Sequence, residues 1–179
     1  MKVDIVKVGS LMCNCYILDI DNFVLVIDPG DEYEKIKNKL DNKKVLGVLI
    51  THHHFDHVGA LDKILEDYKV KVYDINNLLE QDYEIGPFKF QVIYTKGHSN
   101  DSLTYYFKED KCMFVGDFIF LDSVGRVDLE GGSKVEMKNS LDKIKKYDDN
   151  TILYPGHGLS TTLGYEKKNN LYFQEGDLW

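Results

Sequence analysis

A chain of 179 residues with 30 acidic against 22 basic side chains has a formal net charge of −8, which argues against nucleic acid as a partner, because phosphate recognition needs a basic face. Hydrophobic residues at 43% and charged residues at 29% are ordinary for a soluble globular protein, and no apolar run approaches the roughly 20 residues that cross a bilayer. The start, MKVDIVKVGS, lacks the apolar core of a secretion leader, so the expectation is one cytoplasmic domain over residues 1–179 whose three cysteines, Cys13, Cys15 and Cys112, stay reduced.

The opening reads as strands. VDIVKV alternates, CYILDI and FVLVID follow, and DNF turns the chain between the last two. Cys13 and Cys15 share one strand face and read as small buried residues rather than metal ligands. DPGD stops the third strand, with Asp31 placed to cap the next helix. YEKIKNKL has helical spacing at Tyr33, Ile36 and Leu40. VLGVLI is continuously apolar and reads as a central strand buried on both faces. VGALDKILEDY is a helix with Leu61, Ile64, Leu65 and Tyr68 inward, and KVKVYDI a short strand. EIGPFKFQVIYT holds a turn at Gly86 and Pro87, then an alternating strand. SLTYYFK and KCMFVGDFIF make a hairpin closed by EDK. VEMKNSLDKIKKY is an amphipathic helix, TILYPGHG a strand ending in a Pro–Gly turn, and the tail from Thr161 a terminal helix or loop. NLYFQ within that tail resembles a protease-tag site, but its flanks do not match and it is read as native. Strand groups with interspersed helices and no linker or repeat imply a layered α/β fold.

Four of the six histidines fall in ITHHHFDHVG, directly after the buried strand. In extended chain His52 and His54 face one way and His53 the other, so two imidazoles can share one ion while His53 stays outside. Asp56 and His57 follow where the chain turns into helix and face a second position. An internal run interrupted by Phe55 and Asp56 is not a tag. The remaining histidines, His98 in YTKGHSNDS and His157 in LYPGHGLS, each follow a strand and a glycine, and Asp117 in FVGDFIF has the same context. Three strand ends thus each present one ligand-type residue, and together with the first motif they point to a metal centre.

These residues resemble the metallo-β-lactamase superfamily, and within it the glyoxalase II-like hydrolases. THHHFDH matches the T-H-x-H-x-D-H signature, and GHSNDS, GD and PGHG match the later ligand motifs in order. NCYIL, IDPG, VGRVDLEGG and STTLGYEKKNN are similar to that group as well, so the likeness spans nearly the whole chain. The resemblance implies an αββα sandwich, two mixed β-sheets flanked by helices. It implies a first metal on His52, His54 and His98, a second on Asp56, His57 and His157, and Asp117 bridging them. Two zinc ions lead, with iron or manganese also suited to such a thiolate-free set. Metal ions lower the pKa of coordinated water to roughly 7, so the implied activity is hydrolysis of a thioester or ester of a small-molecule substrate, with Asp56 orienting groups and handling protons. A lactonase and a mononuclear iron persulfide dioxygenase are the alternatives. A non-enzymatic metal-binding relic is disfavoured by the intact ligands, and a flavodiiron site would expect Glu in place of His54.

The sequence departs from the family in places. TKGHSNDS replaces the usual T-P-G-H-T-P-G-S, with Lys96 read as solvated. A helical glutathione-gripping domain is not expected, since the chain ends shortly after His157. Arg126 reads as an anion contact or as one half of a structural ion pair. Thr51 and Ser99 read as makers of local turn hydrogen bonds rather than as partners of the imidazoles.

Overall fold

Alternation along the strands sorts the apolar side chains into three layers, and these set the architecture. In the computed structural model, which describes residues 1–174, one sheet runs in the order β1 (Lys2–Val8), β2 (Cys13–Ile20), β3 (Phe23–Ile27), β4 (Lys44–Leu49), β5 (Lys71–Tyr73). Helix α1 (Tyr33–Leu40) carries the chain from β3 to its parallel neighbour β4, and α2 (Phe55–Val58) with α3 (Leu61–Tyr68) leads on to β5, also parallel. The second sheet begins with β6 (Asp82–Ile85), β7 (Phe88–Tyr94), β8 (Leu103–Phe107) and β9 (Cys112–Gly116) as an antiparallel meander. A ribbon of β10 (Ile119–Phe120) and β11 (Ser123–Val124), then α4 (Lys134–Ile144), precede β12 (Ile152–Pro155), which pairs parallel to β9. Strand β13 (Thr161–Thr162) closes that edge, and α5 (Leu163–Asn169) and α6 (Leu171–Gln174) follow.

Tyr16, Leu18, Leu25, Ile27 and Leu49 from the first sheet meet Phe88, Phe90, Tyr105, Phe107 and Phe114 from the second in the layer between the sheets. The opposite faces of the same strands, through Cys13, Cys15, Ile17, Val24 and Val26, pack under Ile36, Leu40 and Ile64 of the helices. Met113, Val115 and Leu153 do the same on the far side with Met137, Leu141 and Ile144. The result is the expected αββα sandwich. Among the described residues no helix is long and apolar enough to cross a membrane.

Tyr105 joins the sheets by a polar contact in this dry layer. Its buried hydroxyl donates to the Ile50 carbonyl at 2.6 Å and the Tyr73 carbonyl at 3.0 Å, both at the ends of first-sheet strands. A Tyr105→Phe chain is expected to lose about 1–2 kcal/mol, the cost of leaving a buried carbonyl short of a donor. Urea unfolding measures it, and an unchanged midpoint would refute the role.

Several local readings need correction. Asp31 does not cap α1: Glu32 holds the N-cap position at φ 46, and the Asp31 carboxylate accepts from the Glu32 N–H instead. The helix expected from Val58 is split at Gly59 and Ala60, because Gly59 packs against the Gly30 carbonyl and the Ala60 N–H donates to the Pro29 carbonyl at 2.9 Å. The run KCMFVGDFIF is not one strand. Gly116 takes φ 52, which ends β9 and frees Asp117 from the ladder. A further strand, β6, precedes the turn at Gly86 and Pro87. The tail expected as helix or loop from Thr161 opens with the short strand β13 and then runs through α5 and α6 to Gln174; its last five residues lie outside the described part.

Candidate metal centre

Every ligand-type residue singled out in the sequence lies just past the C-terminal end of a strand. His52, His54, Asp56 and His57 follow β4, His98 follows β7, Asp117 follows β9 and His157 follows β12. Two sheets therefore deliver the groups from opposite sides to one rim. His52, His54 and His98 form one cluster, and His52, His57 and Asp117 form another that shares a member with it. The backbone has to come close for this. A Cβ on Gly156 would strike the Asp117 carboxylate and come within 2.6 Å of His57 Cε1, so only glycine fits before His157.

The hydrogen bonds fix which nitrogen each ring presents. His98 Nδ1 donates to the Arg126 carbonyl at 2.8 Å, and His157 Nδ1 to the Leu11 carbonyl at 3.0 Å. His57 Nδ1 donates to Asp28 Oδ2 at 3.0 Å. Thr51 Oγ1 spends its proton on Asp28 Oδ2 at 2.6 Å, and so accepts from His52 Nδ1 at 3.2 Å. Since a carbonyl or carboxylate only accepts, all four rings carry their proton on Nδ1 and turn a bare Nε2 inward. His54 offers Nδ1, 3.0 Å from His98 Nε2.

The inward atoms stand at ligand spacing. His57 Nε2 is 3.3 Å from Asp117 Oδ1, and His98 Nε2 and His157 Nε2 are each 3.6 Å from Asp117 Oδ2. Asp56 Oδ2 is 3.1 Å from His157 Nε2 and 3.9 Å from His57 Nε2. A tetrahedral ion with bonds of about 2.0–2.1 Å separates its donors by about 3.3 Å. His52 Nε2, His57 Nε2 and Asp117 Oδ1 are buried without a hydrogen-bond partner. Buried polar atoms are otherwise nearly always satisfied, and three orphans converging on one point fit a cation.

The electrostatics separate the rings: His52 and His54 favour the neutral form, whereas His57 between two carboxylates favours a second proton, on Nε2, which a cation bound there would displace. Burial, and then the neighbouring imidazoles, push His52 well below the ordinary histidine pKa, and His54 is lowered by burial and His98. Burial opposes the charge on His57, but Asp28 and Asp117 raise it well above the ordinary value. Burial likewise opposes the charge on Asp117, yet His57, His157 and His98 hold it below the usual carboxylate range.

Asp28 and Cys13 escape a residue-by-residue reading. Asp28, at φ 49, accepts from the Thr51 N–H at 2.8 Å as well as from Thr51 Oγ1 and His57 Nδ1. Its signal is the IDPG stretch, which stops a strand and is similar to the family but assigns Asp28 no role by itself. Thr51 likewise proves to be an imidazole partner, whereas Ser99 bonds locally to Asp101 and Ser102 at 2.6 Å each. Cys13, read as a mere core residue, lies with its sulfur within 4.8 Å of ring nitrogens of His57 and His157. The structure turns His53 away from the cluster, to Asp101 at 2.6 Å and Asp74 at 3.1 Å. Arg126 forms the ion pair, gripping Asp128 at 2.7 and 2.8 Å. Lys96 is half-buried.

Asp28→Asn keeps the shape but loses the charge and one acceptor. It is expected to weaken metal affinity about 10–100-fold, the usual cost of removing a carboxylate behind a ligating histidine. Competition against a chromophoric chelator measures this, and unchanged affinity would contradict the role given to Asp28.

Comparison with known proteins adds four findings. The family model described as "Metallo-beta-lactamase superfamily" matches residues 8–80 and 73–157. Hydroxyacylglutathione hydrolase GloC of Haemophilus influenzae is 28% identical, over 95% of this chain and 97% of its own. Among solved structures, BLEG-1 B3 metallo-beta-lactamase is 30% identical with a TM-score of 0.93, covering 97% of this chain and 100% of its own. TTHA1623, in a di-iron-bound form, is 32% identical with a TM-score of 0.87, covering 95% and 100%.

Proposed function

Because this chain belongs to the metallo-beta-lactamase superfamily and is a metal-dependent hydrolase, we propose that the bond it cleaves is a thioester or ester, at a centre of two metal ions. His52, His54 and His98 would hold the first ion, Asp56, His57 and His157 the second, and Asp117 would serve both. The carrying observation is the set of four Nδ1-anchored imidazoles whose bare Nε2 atoms face Asp117. The likeness to GloC supports a thioester, and the di-iron form of TTHA1623 supports two ions and keeps iron beside zinc, which we place first.

When bound, such ions bring the pKa of water toward neutrality and draw charge off a carbonyl oxygen. The chain's own residues do the rest. Asp28, Thr51 and the Arg126 and Leu11 carbonyls lock the imidazole tautomers, so each neutral ring turns its bare Nε2 inward. Asp56 lines an open hollow and sits 3.1 Å from His157 Nε2. Its carboxylate is placed to orient the attacking group and to pass a proton to the departing thiolate or alkoxide.

Metal analysis of the purified protein, paired with assays on thioesters, lactones, a β-lactam and glutathione persulfide, tests this. Two equivalents of metal with thioester cleavage are expected. Oxygen uptake on the persulfide with one iron, or cleavage of the β-lactam alone, would overturn it.

A further inference from the structure

The mouth of the centre is ringed by exposed apolar side chains. Phe55 is 76% exposed, Leu159 67%, Leu11 and Met12 each 53%, and Leu121 39%. They come from distant parts of the chain, yet Phe55, Leu159 and Leu11 each stand close to a candidate ligand. Phe55 stands between His54 and Asp56 in the chain, and Leu159 is two residues past His157. The Leu11 carbonyl holds His157 Nδ1. The Phe120 ring, next to Leu121, is 6.3 Å from the His157 ring.

Two hollows lie among them. One of about 270 Å³ is bounded by Leu11, Phe55 and the carboxylates of Asp31 and Asp56. The other, about 380 Å³, runs over Phe120, Leu121, His157 and Leu159. Neither is lined by a lysine or an arginine. Arg126 is bound to Asp128. Solvent-facing apolar side chains gathered at one concave place mark a binding surface. With Asp56 turned to the metal centre, Asp31 is the charged group left on these hollows, and it disfavours an anion there.

Resting on the hydrolase reading above, we propose that the substrate is an uncharged ester or thioester of an apolar acyl chain, whose methylenes lie on this rim while the carbonyl sits over the metal centre. A bond flanked by carboxylates or phosphates fits the surface poorly. A buried methylene favours binding enough for about a threefold gain each where cover is partial.

The test uses metal-replete protein and acetyl, butyryl, hexanoyl and octanoyl thioesters of N-acetylcysteamine, a neutral thiol, with the same acyl groups on glutathione. Beside it, calorimetry follows binding of alkyl ketones of matching length, which cannot be hydrolysed. Catalytic efficiency and ketone affinity should both rise about threefold per methylene, and the N-acetylcysteamine series should be cleaved with the higher efficiency. Phe55→Ser and Leu159→Ser should flatten that slope, while Leu79→Ser, a change at an exposed leucine outside the two hollows, leaves it intact. Ketone binding that ignores chain length, or a preference for the glutathione series, overturns the inference. Ketone affinity that rises with length while no thioester is cleaved keeps the apolar rim and removes the thioesterase reading.

Discussion

Asp117→Ala is expected to lower the catalytic efficiency about 1000-fold or more and to leave the protein with less than its full metal content. Among the described residues, Asp117 is the side chain whose two oxygens face both halves of the centre, Oδ1 toward His57 and Oδ2 toward His98 and His157. Its removal leaves Asp56 as the carboxylate beside His57 and His157, strips His98 of its acidic neighbour, and takes one donor from each proposed ion. The loss of several kcal/mol of charge stabilisation at a metal site corresponds to a fall of that size. The fold should survive, since Asp117 lies outside β9 and its side chain joins no apolar layer. Metal analysis, steady-state kinetics and circular dichroism on one preparation decide it. Full metal content with near-native turnover would show that Asp117 is not shared.

Gly125→Ala should be strongly destabilising. Its Cβ would collide with the backbone carbonyl of Asp117 and stand 3.1 Å from His98 Cβ. Neither obstacle is the loose end of a side chain, so the loop must move and take two candidate ligands with it. Overpacking against backbone costs about 3 kcal/mol, or roughly 6–12 °C in Tm for a chain of this size. Gly158→Ala is the control. It has φ 79 but nothing within 4 Å of the added carbon, so it should show only the cost of the left-handed backbone, about 1 kcal/mol. Equal melting temperatures for the two variants would refute the steric argument.

Much of the centre was legible because its residues carry their context locally. His52, His54, Asp56 and His57 follow an apolar strand at alternating spacing, and His98, Asp117 and His157 each follow a glycine at a strand end. The strands were legible for the same reason, since β3, β9 and most of β4 are apolar runs. What the sequence hid is set by approach between segments. Asp28 serves Thr51 and His57 because β3 and β4 are parallel neighbours that end together. Gly59 breaks its helix because the Gly30 turn presses on it. Cys13 nears His157 because the Asn14 N–H donates to the Gly156 carbonyl at 2.7 Å, a contact across 142 residues of chain that no local pattern announces.

The delivery of ligands from both sheets has a mechanical consequence. Four of the seven groups hang from the first sheet and three from the second, so an ion held between them acts as a rivet across the top of the sandwich. Because the unfolded chain cannot assemble that set, occupancy adds to the work of pulling the layers apart by about 2.7 kcal/mol when free metal stands at a hundred times its dissociation constant. Chelation should therefore loosen the seam first, and amide exchange at the ends of β4 and β12 should quicken before that of the helices on the outer faces.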